Sequence, residues 1–391
     1  MKHIGIVVPN FPIASETFVI TEIQGLIEAG HKVSVFCFNY DATLQHRIPN
    51  GVEVVDLTQT QDIRFRALSG HLLAAFPTAV KLCIQQKHAS RKSLLRYATR
   101  LGQEAFSRGC QHLHSHFLGI SLSHAVVAGA LFKIPVSCVG HGHDVYQTPT
   151  DLSVKLSQSE FTVAVCEDMK KRLGGLTQSP IQVIHCGVNT DNFSVHQAPK
   201  NSTKMLFFIG RLVEKKGLVY ALEAIASSPP RQRPLLDIIG DGPDRDWLET
   251  LSKRLDIQSS INFLGFKTPD WLQQKTAGYD ALIAPFCEAQ NGDRDNGPVV
   301  LKEAMAMGIP VITTRFMGCA EIVDPQSGWL VETQSSYQLA DSIQQLSALT
   351  NDETVAMRAA ARKRVESHFC AIKQAKKLSE LIQKVPHHDC N

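Results

Sequence analysis

Two carboxylates lie on either side of a predicted helix start. Asp295 precedes a polar turn at Gly297, and Glu303 follows Asp295 by eight residues. Pro298 at the first helical position and Gly308 just past the last one bracket a helix of about ten residues. The free backbone N–H groups of a helix start suit phosphate, whereas carboxylates suit hydroxyl groups. The pattern therefore predicts a ligand with hydroxyl groups on both sides of a diphosphate, which describes a nucleotide sugar.

The same stretch resembles the E-x7-E signature of glycosyltransferase family four, whose members are retaining enzymes with the GT-B fold. After Glu303 the chain continues as Ala-Met-Ala-Met-Gly-Ile-Pro-Val-Ile, a run similar to that of the family. Asp295 stands where most members carry Glu, and a similar loop occurs in a subgroup that makes bacterial exopolysaccharides, including colanic-acid-type enzymes. The resemblance implies that Glu303 binds the donor ribose and that Asp295 binds the donor sugar and takes part in catalysis. It also implies donor contacts at Gly297, Val299 and Val300.

A basic loop follows the first predicted strand of the second half of the chain. Its sequence, Gly-Arg-Leu-Val-Glu-Lys-Lys-Gly, contains Arg211 and Lys216. Departure of a nucleoside diphosphate leaves negative charge on the β-phosphate, and fixed cations must stabilise that charge where no metal does so. The loop is similar to the family's GRL-x3-KG motif, in which Arg and Lys bind the donor diphosphate and support catalysis. By the same resemblance, further donor contacts are expected at Gly240, Gly242, Gly265 and Glu321.

Two loops of the first half are expected to contact the acceptor. The loop after the first strand resembles the SETF variant of exopolysaccharide transferases, which implies acceptor contacts at Ser15, Glu16 and Thr17. Ser15 and Thr17 could also cap the following helix. A second loop, Gly-His-Gly-His-Asp, contains His143 and Asp144, both expected on the acceptor side. The resemblance places His143 beside the reacting carbon, where it orients the donor sugar and stabilises charge while the leaving phosphate accepts the acceptor's proton.

Strand-like apolar runs alternate with helix-like segments in two series, separated by a polar linker at 194–203. The second series has strands predicted at 205–209, 235–239, 261–264, 281–285 and 311–314. Such runs indicate parallel sheets covered by helices on both faces. With the family resemblance they imply the GT-B architecture, an α/β fold with two Rossmann-like, doubly wound parallel-sheet domains facing a cleft. We predict an acceptor-binding domain at residues 1–197 and a donor-binding domain at residues 198–365. Apolar spacing predicts a single last helix near 352–384, and its part within residues 366–391 is expected to pack back toward the first domain.

Positive charge is concentrated in one segment. The net charge of the chain is +3, but residues 62–108 contain nine Lys and Arg against two acidic residues. Apolar residues at helical spacing, among them Leu68, Leu72 and Phe76, make this segment amphipathic. It could lie on an anionic membrane face, or it could be a solvated helix pair that covers the sheet of its own domain.

The remaining composition favours a cytoplasmic protein. No apolar run approaches the roughly 18 residues of a membrane-spanning helix, and the N-terminus lacks the anatomy of a signal peptide. The ten cysteines occur without a C-x-x-C pair, which favours neither a disulfide framework nor a zinc ribbon. We expect a cytoplasmic location, peripheral to the inner face of the membrane at most, and no nucleic-acid partner.

The histidines allow a competing, metal-dependent interpretation. His112, His114 and His116 alternate along one predicted strand and so share a face, and His141 and His143 could lie on its neighbour. A D-x-D pattern occurs at 293–295 and again at 244–246, so that pattern carries little information. The family motifs outweigh this alternative. We expect no metal and no cofactor, only a nucleoside-diphosphate sugar as donor, with UDP as the expected nucleotide.

These observations favour a retaining, metal-independent transferase. It would move a sugar from its donor to a lipid-linked glycan in the synthesis of a bacterial exopolysaccharide or cell-surface polysaccharide. Two alternatives stay open. One is a sugar-nucleotide epimerase or hydrolase on the same frame. The other is a catalytically silent, nucleotide-binding partner in a polysaccharide assembly complex, which the Asp295 departure keeps open.

Overall fold

The computed structural model describes residues 1–62, 70–195 and 203–386. The chain divides into two compact units, one of Met1–Gly187 with Ala371–Asn391 and one of Val188–Cys370. The second unit therefore begins earlier than residue 198 and ends later than residue 365. Each unit contains a parallel sheet covered by helices, which confirms the expected α/β class with two doubly wound domains.

The first unit is built on a sheet of seven strands among the described residues. These are β1 (His3–Phe11), β2 (Lys32–Tyr40), β3 (Glu53–Asp56), β4 (His112–His116), β5 (Val136–Val139), β6 (Phe161–Ala164) and β7 (Ile181–Val183). Their order is β3-β2-β1-β4-β5-β6-β7, and all neighbouring strands are parallel. The central strands are buried along nearly their whole length, as continuous apolar runs in a parallel sheet require.

The helices of the first unit connect these strands. They are α1 (Thr17–Glu28), α2 (Gly70–Gln85), α3 (Arg91–Ser107), α4 (Ile120–Phe132), α5 (Leu152–Leu156), α6 (Glu167–Gly174) and, from the end of the chain, α14 (Ala371–Lys384). Helix α14 packs against α1. A Cβ on Gly25 would lie 2.5 Å from the Cβ of Ala375, so the glycine permits this close approach of the two helices.

The second unit has a sheet of six strands within the described ranges. They are β8 (Met205–Ile209), β9 (Leu235–Ile239), β10 (Ile261–Gly265), β11 (Ala281–Ala284), β12 (Val311–Thr314) and β13 (Gly328–Val331). Their order is β10-β9-β8-β11-β12-β13, all parallel. Side chains of successive residues in a strand point to opposite faces. Leu206 and Phe208 accordingly join one apolar cluster with Leu222, and Phe207 joins the other with Leu301.

The second unit contains seven α-helices among the described residues, and the last of them, α13, is the longest. They are α7 (Leu218–Ala226), α8 (Arg245–Arg254), α9 (Pro269–Lys275), α10 (Val299–Ala306), α11 (Cys319–Ile322), α12 (Ser336–Ala348) and α13 (Asn351–His368). The single helix expected near 352–384 is therefore two helices, α13 and α14. Helix α13 begins with a capping box, in which Thr350 and Glu353 satisfy each other's backbone N–H groups.

No helix within the described ranges has both the length and the apolar character needed to cross a membrane. The basic segment forms α2 and α3 where the structure describes it, whereas Arg64, Arg66 and Leu68 lie outside the described residues. Helices α2 and α3 both pack on α4. The segment thus does cover its own domain, and the exposed side of α2 still presents Leu73 and Ile84.

Candidate functional site

The predicted helix start exists in the second unit, one residue later than expected. Pro298 is the N-cap of α10 and not its first helical residue, with φ −60° and ψ 124°. Gly308 follows the helix at φ +71°, the left-handed conformation typical of glycine after a helix. Val299 and Val300 are half-buried and pack on an apolar cluster of this unit, and Gly297 is also half-buried.

Glu303 lies within α10 and is half-buried. Burial raises the pKa of its carboxyl group, and the charge of the adjacent Lys302 opposes that effect. Lys302 itself is buried, with its Nζ 5.7 Å from the ring centre of Phe369. A partly desolvated carboxyl group of this kind binds a ligand hydroxyl more strongly than a fully hydrated one does.

Asp295 is held by two lysines from the loop after β8. The Nζ of Lys216 lies 2.8 Å from Asp295 Oδ2, and the Nζ of Lys215 lies 3.6 Å from Oδ1. Lys215 is closer to Asp293, at 3.1 Å. Burial alone would raise the pKa of Asp295, but Lys216 and Lys215 outweigh it and lower the pKa below the ordinary value. Both carboxylates of this D-x-D pattern are thus balanced by lysines, which leaves little net charge to attract a metal.

A left-handed glycine brings these lysines to the end of β11. Gly217 has φ +66°, and a Cβ there would lie 2.0 Å from the carbonyl oxygen of Pro285. Lys216 also lies 4.9 Å from the ring centre of Phe286, an arrangement that favours the cation. Arg211, in the same loop, is exposed, and its guanidinium forms no ion pair or hydrogen bond with any described residue. It is available to an anionic ligand.

Two further donor-site candidates, Gly240 and Gly242, allow two loops to touch. A Cβ on Gly240 would lie 2.0 Å from the carbonyl oxygen of Gly210, and one on Gly242 would lie 2.3 Å from that of Leu212. Leu212 N donates to Asp241 O over 2.9 Å. The two glycines therefore allow the loop after β9 to pack against the loop that contains Arg211. Their expected contact with a nucleotide stays a prediction.

We expect the change Gly240→Ala to lower the free energy of unfolding by about 2 kcal/mol or more. Gly240 has φ +129°, which L-residues rarely adopt, and the new methyl group would overlap a carbonyl oxygen. Thermal denaturation followed by circular dichroism measures the loss. Gly278→Ala, where no atom lies within 4 Å of the added Cβ, is the matched control. A Gly240→Ala protein as stable as this control would contradict the close approach.

The last two donor candidates lie at the end of β10 and in the helix after β12. Gly265, at φ +67°, accepts a hydrogen bond from Gly240 N at 2.9 Å. Glu321 is half-buried in α11, and the helix is joined to the Asp295 loop because Gly318 N donates to Asn296 O over 2.8 Å. Strands β10, β9, β8, β11 and β12 are adjacent in the sheet. Their carboxyl ends therefore carry all the donor-site candidates of this unit to one edge, where α/β proteins bind ligands.

In the first unit, Ser15 and Thr17 are exposed at the start of α1 and Glu16 is half-buried. Glu16 is the N-cap, and no side chain forms a capping hydrogen bond there, so the interpretation of Ser15 and Thr17 as caps is wrong. Burial raises the pKa of Glu16, with His116 acting in the opposite direction. The expected acceptor contacts of these residues stay predictions.

His143 and Asp144 begin a short π-helix, His143–Gln147, and differ sharply in environment. His143 is exposed, with Nδ1 hydrogen-bonded to Gln147. Asp144 is buried, and its two carboxylate oxygens accept hydrogen bonds from the backbone N–H groups of Leu118 and His141. Asp144 therefore holds the loop after β4 against the loop after β5. His143 remains accessible for contact with a ligand.

The other histidines form a buried group at the end of β4, on one face as expected. His112 Nε2 and His114 Nδ1 both lie 2.7 Å from Ser137 Oγ. His116 stacks on His141, with ring centres 5.6 Å apart and planes 11° apart. His141, not His143, joins the group. Sequence reasoning did not foresee Glu22 beside these rings, because α1 brings it from a segment 94 positions before His116 in the chain.

Comparisons with known proteins agree with this arrangement. A family model described as Glycosyl transferases group 1 matches residues 189–364, and one described as Glycosyltransferase Family 4 matches residues 15–192. The chain is 26% identical over 403 residues to a Salmonella typhimurium protein named as a glycosyltransferase of colanic acid biosynthesis, WcaL, with 96% of this chain and 98% of that one covered. It is 24% identical to the amylovoran biosynthesis glycosyltransferase AmsK of Erwinia amylovora, with 96% and 98% covered.

Solved structures show the same fold. A glycosyltransferase from Rickettsia africae superposes with a TM-score of 0.74 at 17% identity, covering 98% of each chain. HepE of Anabaena, solved in complex with UDP, superposes with a TM-score of 0.71 at 19% identity, covering 98% of this chain and 100% of that one. The same protein has been solved with UDP-glucose. These likenesses confirm the GT-B fold.

Proposed function

We propose that this chain, which belongs to the family 4 glycosyltransferases, transfers a sugar from a UDP-sugar to a growing, lipid-linked bacterial exopolysaccharide, with retention at the anomeric carbon. The observation that carries the proposal is the meeting of Lys216 and Asp295 beside α10, with Glu303 on the same helix. The cation proposed to bind the diphosphate, Lys216, thus lies 2.8 Å from the carboxylate proposed to bind the sugar, Asp295. UDP as the nucleotide is supported by the HepE complexes, and the exopolysaccharide by the names of WcaL and AmsK.

In this proposal, donor binding exchanges the partners of the ion pair. Lys216 and Arg211 contact the diphosphate, and Asp295, released from Lys216, accepts a hydrogen bond from a hydroxyl group of the donor sugar. Glu303 accepts hydrogen bonds from the ribose. The N–H groups at the start of α10 stabilise the bound diphosphate by about 0.3–1 kcal/mol through the helix dipole. The two fixed cations therefore contribute more to the stabilisation of its negative charge. No metal is needed on the diphosphate.

The transfer step breaks the bond between the anomeric carbon and the phosphate oxygen. The acceptor hydroxyl forms its new bond on the same face of the sugar, and its proton passes to the departing phosphate oxygen. Positive charge developing on the sugar is stabilised by the leaving phosphate, and His143 orients the sugar. Arg211 and Lys216 stabilise the negative charge on the departing UDP.

Nucleotide binding tests this function first. We expect UDP to raise the melting temperature of the protein more than GDP, ADP or CMP, with the same shift in EDTA, and we expect Glu303→Ala to abolish the effect. A ligand at 100 times its dissociation constant stabilises by about 2.7 kcal/mol, which is easily detected. Glu332→Ala, at an exposed site in the same unit, is the control. No response to any nucleotide would reject the donor site, and a response abolished by EDTA would reject metal independence.

The acceptor proposed here is lipid-linked, and the exposed side of α2 and the following turn offers a contact with the membrane. Leu73, Lys81 and Ile84 are exposed on α2, Lys87 is exposed in the turn, and Arg91 is exposed at the start of α3. Basic residues near an anionic surface each contribute about 1 kcal/mol. We expect sedimentation with vesicles of phosphatidylglycerol and phosphatidylcholine, reduced by added salt, and none with phosphatidylcholine alone. Equal binding to both vesicles, or to neither, would reject this contact.

A further inference from the structure

Three side chains of the first unit converge on one point at the end of β4. Glu22 Oε1, from α1, lies 3.0 Å from His116 Nε2 and 3.5 Å from His114 Nε2. The ligand atoms of the three residues all lie within 4.8 Å of one another. Both rings are buried, and His114 Nε2 has no hydrogen-bond partner among the described residues. A buried ring nitrogen directed at a carboxylate and left without a hydrogen bond calls for a ligand.

Two of the three spacings between ligand atoms are close to those of a tetrahedral metal site. Zinc binds histidine nitrogen and carboxylate oxygen at about 2.0–2.2 Å, so two ligand atoms in tetrahedral geometry stand about 3.3–3.5 Å apart. The two distances from Glu22, 3.0 and 3.5 Å, bracket that separation.

The other ring nitrogens are held in the way that metal-binding histidines require. His114 Nδ1 lies 2.7 Å from Ser137 Oγ, which leaves Nε2 directed at Glu22. His116 Nδ1 lies 3.4 Å from His141 Nε2, and this ring stacks on His116. Hydrogen bonds of this kind fix the orientation of a metal-ligating imidazole. Both rings are thus set before any ion binds.

A small cavity borders the group and offers a place for a fourth ligand. It is lined by Glu22, His116 and His141 on one side and by His185 and Cys186 on another, with a volume of about 20 Å³ for the centres of water-sized spheres. That volume accommodates about one water molecule. Three protein ligands with an open position next to a water-sized space are typical of zinc sites that keep a bound water.

We propose that Glu22, His114 and His116 bind one Zn²⁺ ion, with a water molecule from the cavity as the fourth ligand. The ion would join α1 to the carboxyl end of β4 and so fix the helix that begins at Thr17, directly after Ser15 and Glu16. The site lies entirely within the first unit and shares no residue with the lysines proposed to bind the diphosphate. The zinc ion would not replace the role of Lys216 and Arg211 in the proposed transfer reaction.

The test is metal binding by the full-length protein without nucleotide. Protein stripped with a chelator is dialysed against buffered micromolar free Zn²⁺, and its metal content is measured by mass spectrometry. Titration with Co²⁺, which gives a visible spectrum when tetrahedral, reports the geometry. We expect one ion per chain in the wild type. Removing a ligand in Glu22→Gln or His116→Gln should weaken the affinity by at least tenfold, since the loss of a group that only supports a ligand already costs roughly 10–100-fold.

Two further variants keep the result interpretable. Ser137→Ala retains all three ligands but frees His114 Nδ1, and it should weaken Zn²⁺ binding by roughly 10–100-fold even if ligand variants fold poorly. His124→Gln alters a buried histidine outside the group, bonded through Nδ1 to Ile120 O, and should bind zinc normally. Absence of stoichiometric metal in the wild type would overturn the proposal and leave an ordinary histidine–carboxylate hydrogen bond. Zinc affinity unchanged in Glu22→Gln and Ser137→Ala would overturn it equally. Retained UDP binding in either case would leave the transfer function intact.

Discussion

Replacing Lys216 by methionine is expected to weaken UDP binding by roughly 10–100-fold and to slow sugar transfer by roughly 10²–10³-fold. The charge on the departing diphosphate is largest in the transition state, so the lost cation affects turnover more than binding. Methionine keeps most of the length of the aliphatic stem and removes the Nζ that lies 4.9 Å from the ring centre of Phe286. Isothermal titration with UDP and initial rates of transfer measure the two effects.

The neighbouring lysine provides the matched control. Lys215 contacts Asp293 at 3.1 Å and Asp295 only at 3.6 Å, so Lys215→Met removes the same charge from a slightly different position. We expect it to change UDP affinity by no more than about fivefold, as loss of a partly exposed ion pair does. Equal losses in the two variants would mean that general positive charge, and not the position of Lys216, stabilises the diphosphate.

The ion pair with Asp295 adds a second consequence. Lys216 is the main cation that keeps the pKa of Asp295 low against the effect of burial. In Lys216→Met this pKa should rise, so the activity that remains should begin to fall at a higher pH than that of the wild type as the pH is lowered. A pH profile of the residual activity with the same shape as the wild-type profile would contradict a coupling between the two residues.

Much of the fold could be predicted because the core strands are continuous apolar runs. Segments such as Leu235–Ile239 and Ala281–Ala284 are strands at the predicted positions. Strand β13 was missed because its sequence, Gly-Trp-Leu-Val, starts with glycine and its two middle residues are only half-buried at the edge of the sheet. The break between α13 and α14 was also missed, since the apolar spacing continues across it.

The edge of the sheet that carries the donor candidates could be predicted, but the partners within it could not. Parallel strands bring their carboxyl ends together, so Arg211, Lys216 and Asp295 were expected on one side. Which lysine meets which carboxylate depends on the left-handed turn at Gly217 and on the length of the loop after β11. Likewise, the choice between His141 and His143 depends on a π-helix that no sequence pattern indicated.

Lys155 was not singled out by any sequence pattern, yet it has the largest expected effect on stability. Its side chain is fully buried, and its Nζ donates to the carbonyl oxygens of Leu118 and Gly119 and to Thr150 Oγ1. We expect Lys155→Met to lower the free energy of unfolding by about 3–5 kcal/mol, because buried acceptors lose their donor and Asp144 loses a cation. The melting temperature should fall by roughly 6–20 °C. Lys171→Met, at an exposed site on α6, should change stability by about 0.5 kcal/mol or less.

The loss in Lys155→Met should also depend on pH, through Asp144. Burial raises the pKa of Asp144 to about 6, and backbone N–H groups and Lys155 act in the opposite direction. A raised pKa means that the group's contribution to stability is complete below its ordinary value of 3.8 and is lost as the pH rises through about 6. In Lys155→Met the pKa of Asp144 should rise further. The stability contributed by Asp144 should therefore continue to fall up to a higher pH than in the wild type.

Lys155 itself does not titrate in this range. Burial lowers its pKa to about 8, so it stays charged from about pH 5 to about pH 7. The difference in unfolding free energy between wild type and Lys155→Met, measured by urea denaturation, should therefore grow as the pH rises over that interval, while Lys171→Met tracks the wild type. A difference that stays constant would mean that the Asp144 carboxylate is held by the N–H groups of Leu118 and His141 alone, with no measurable help from the lysine.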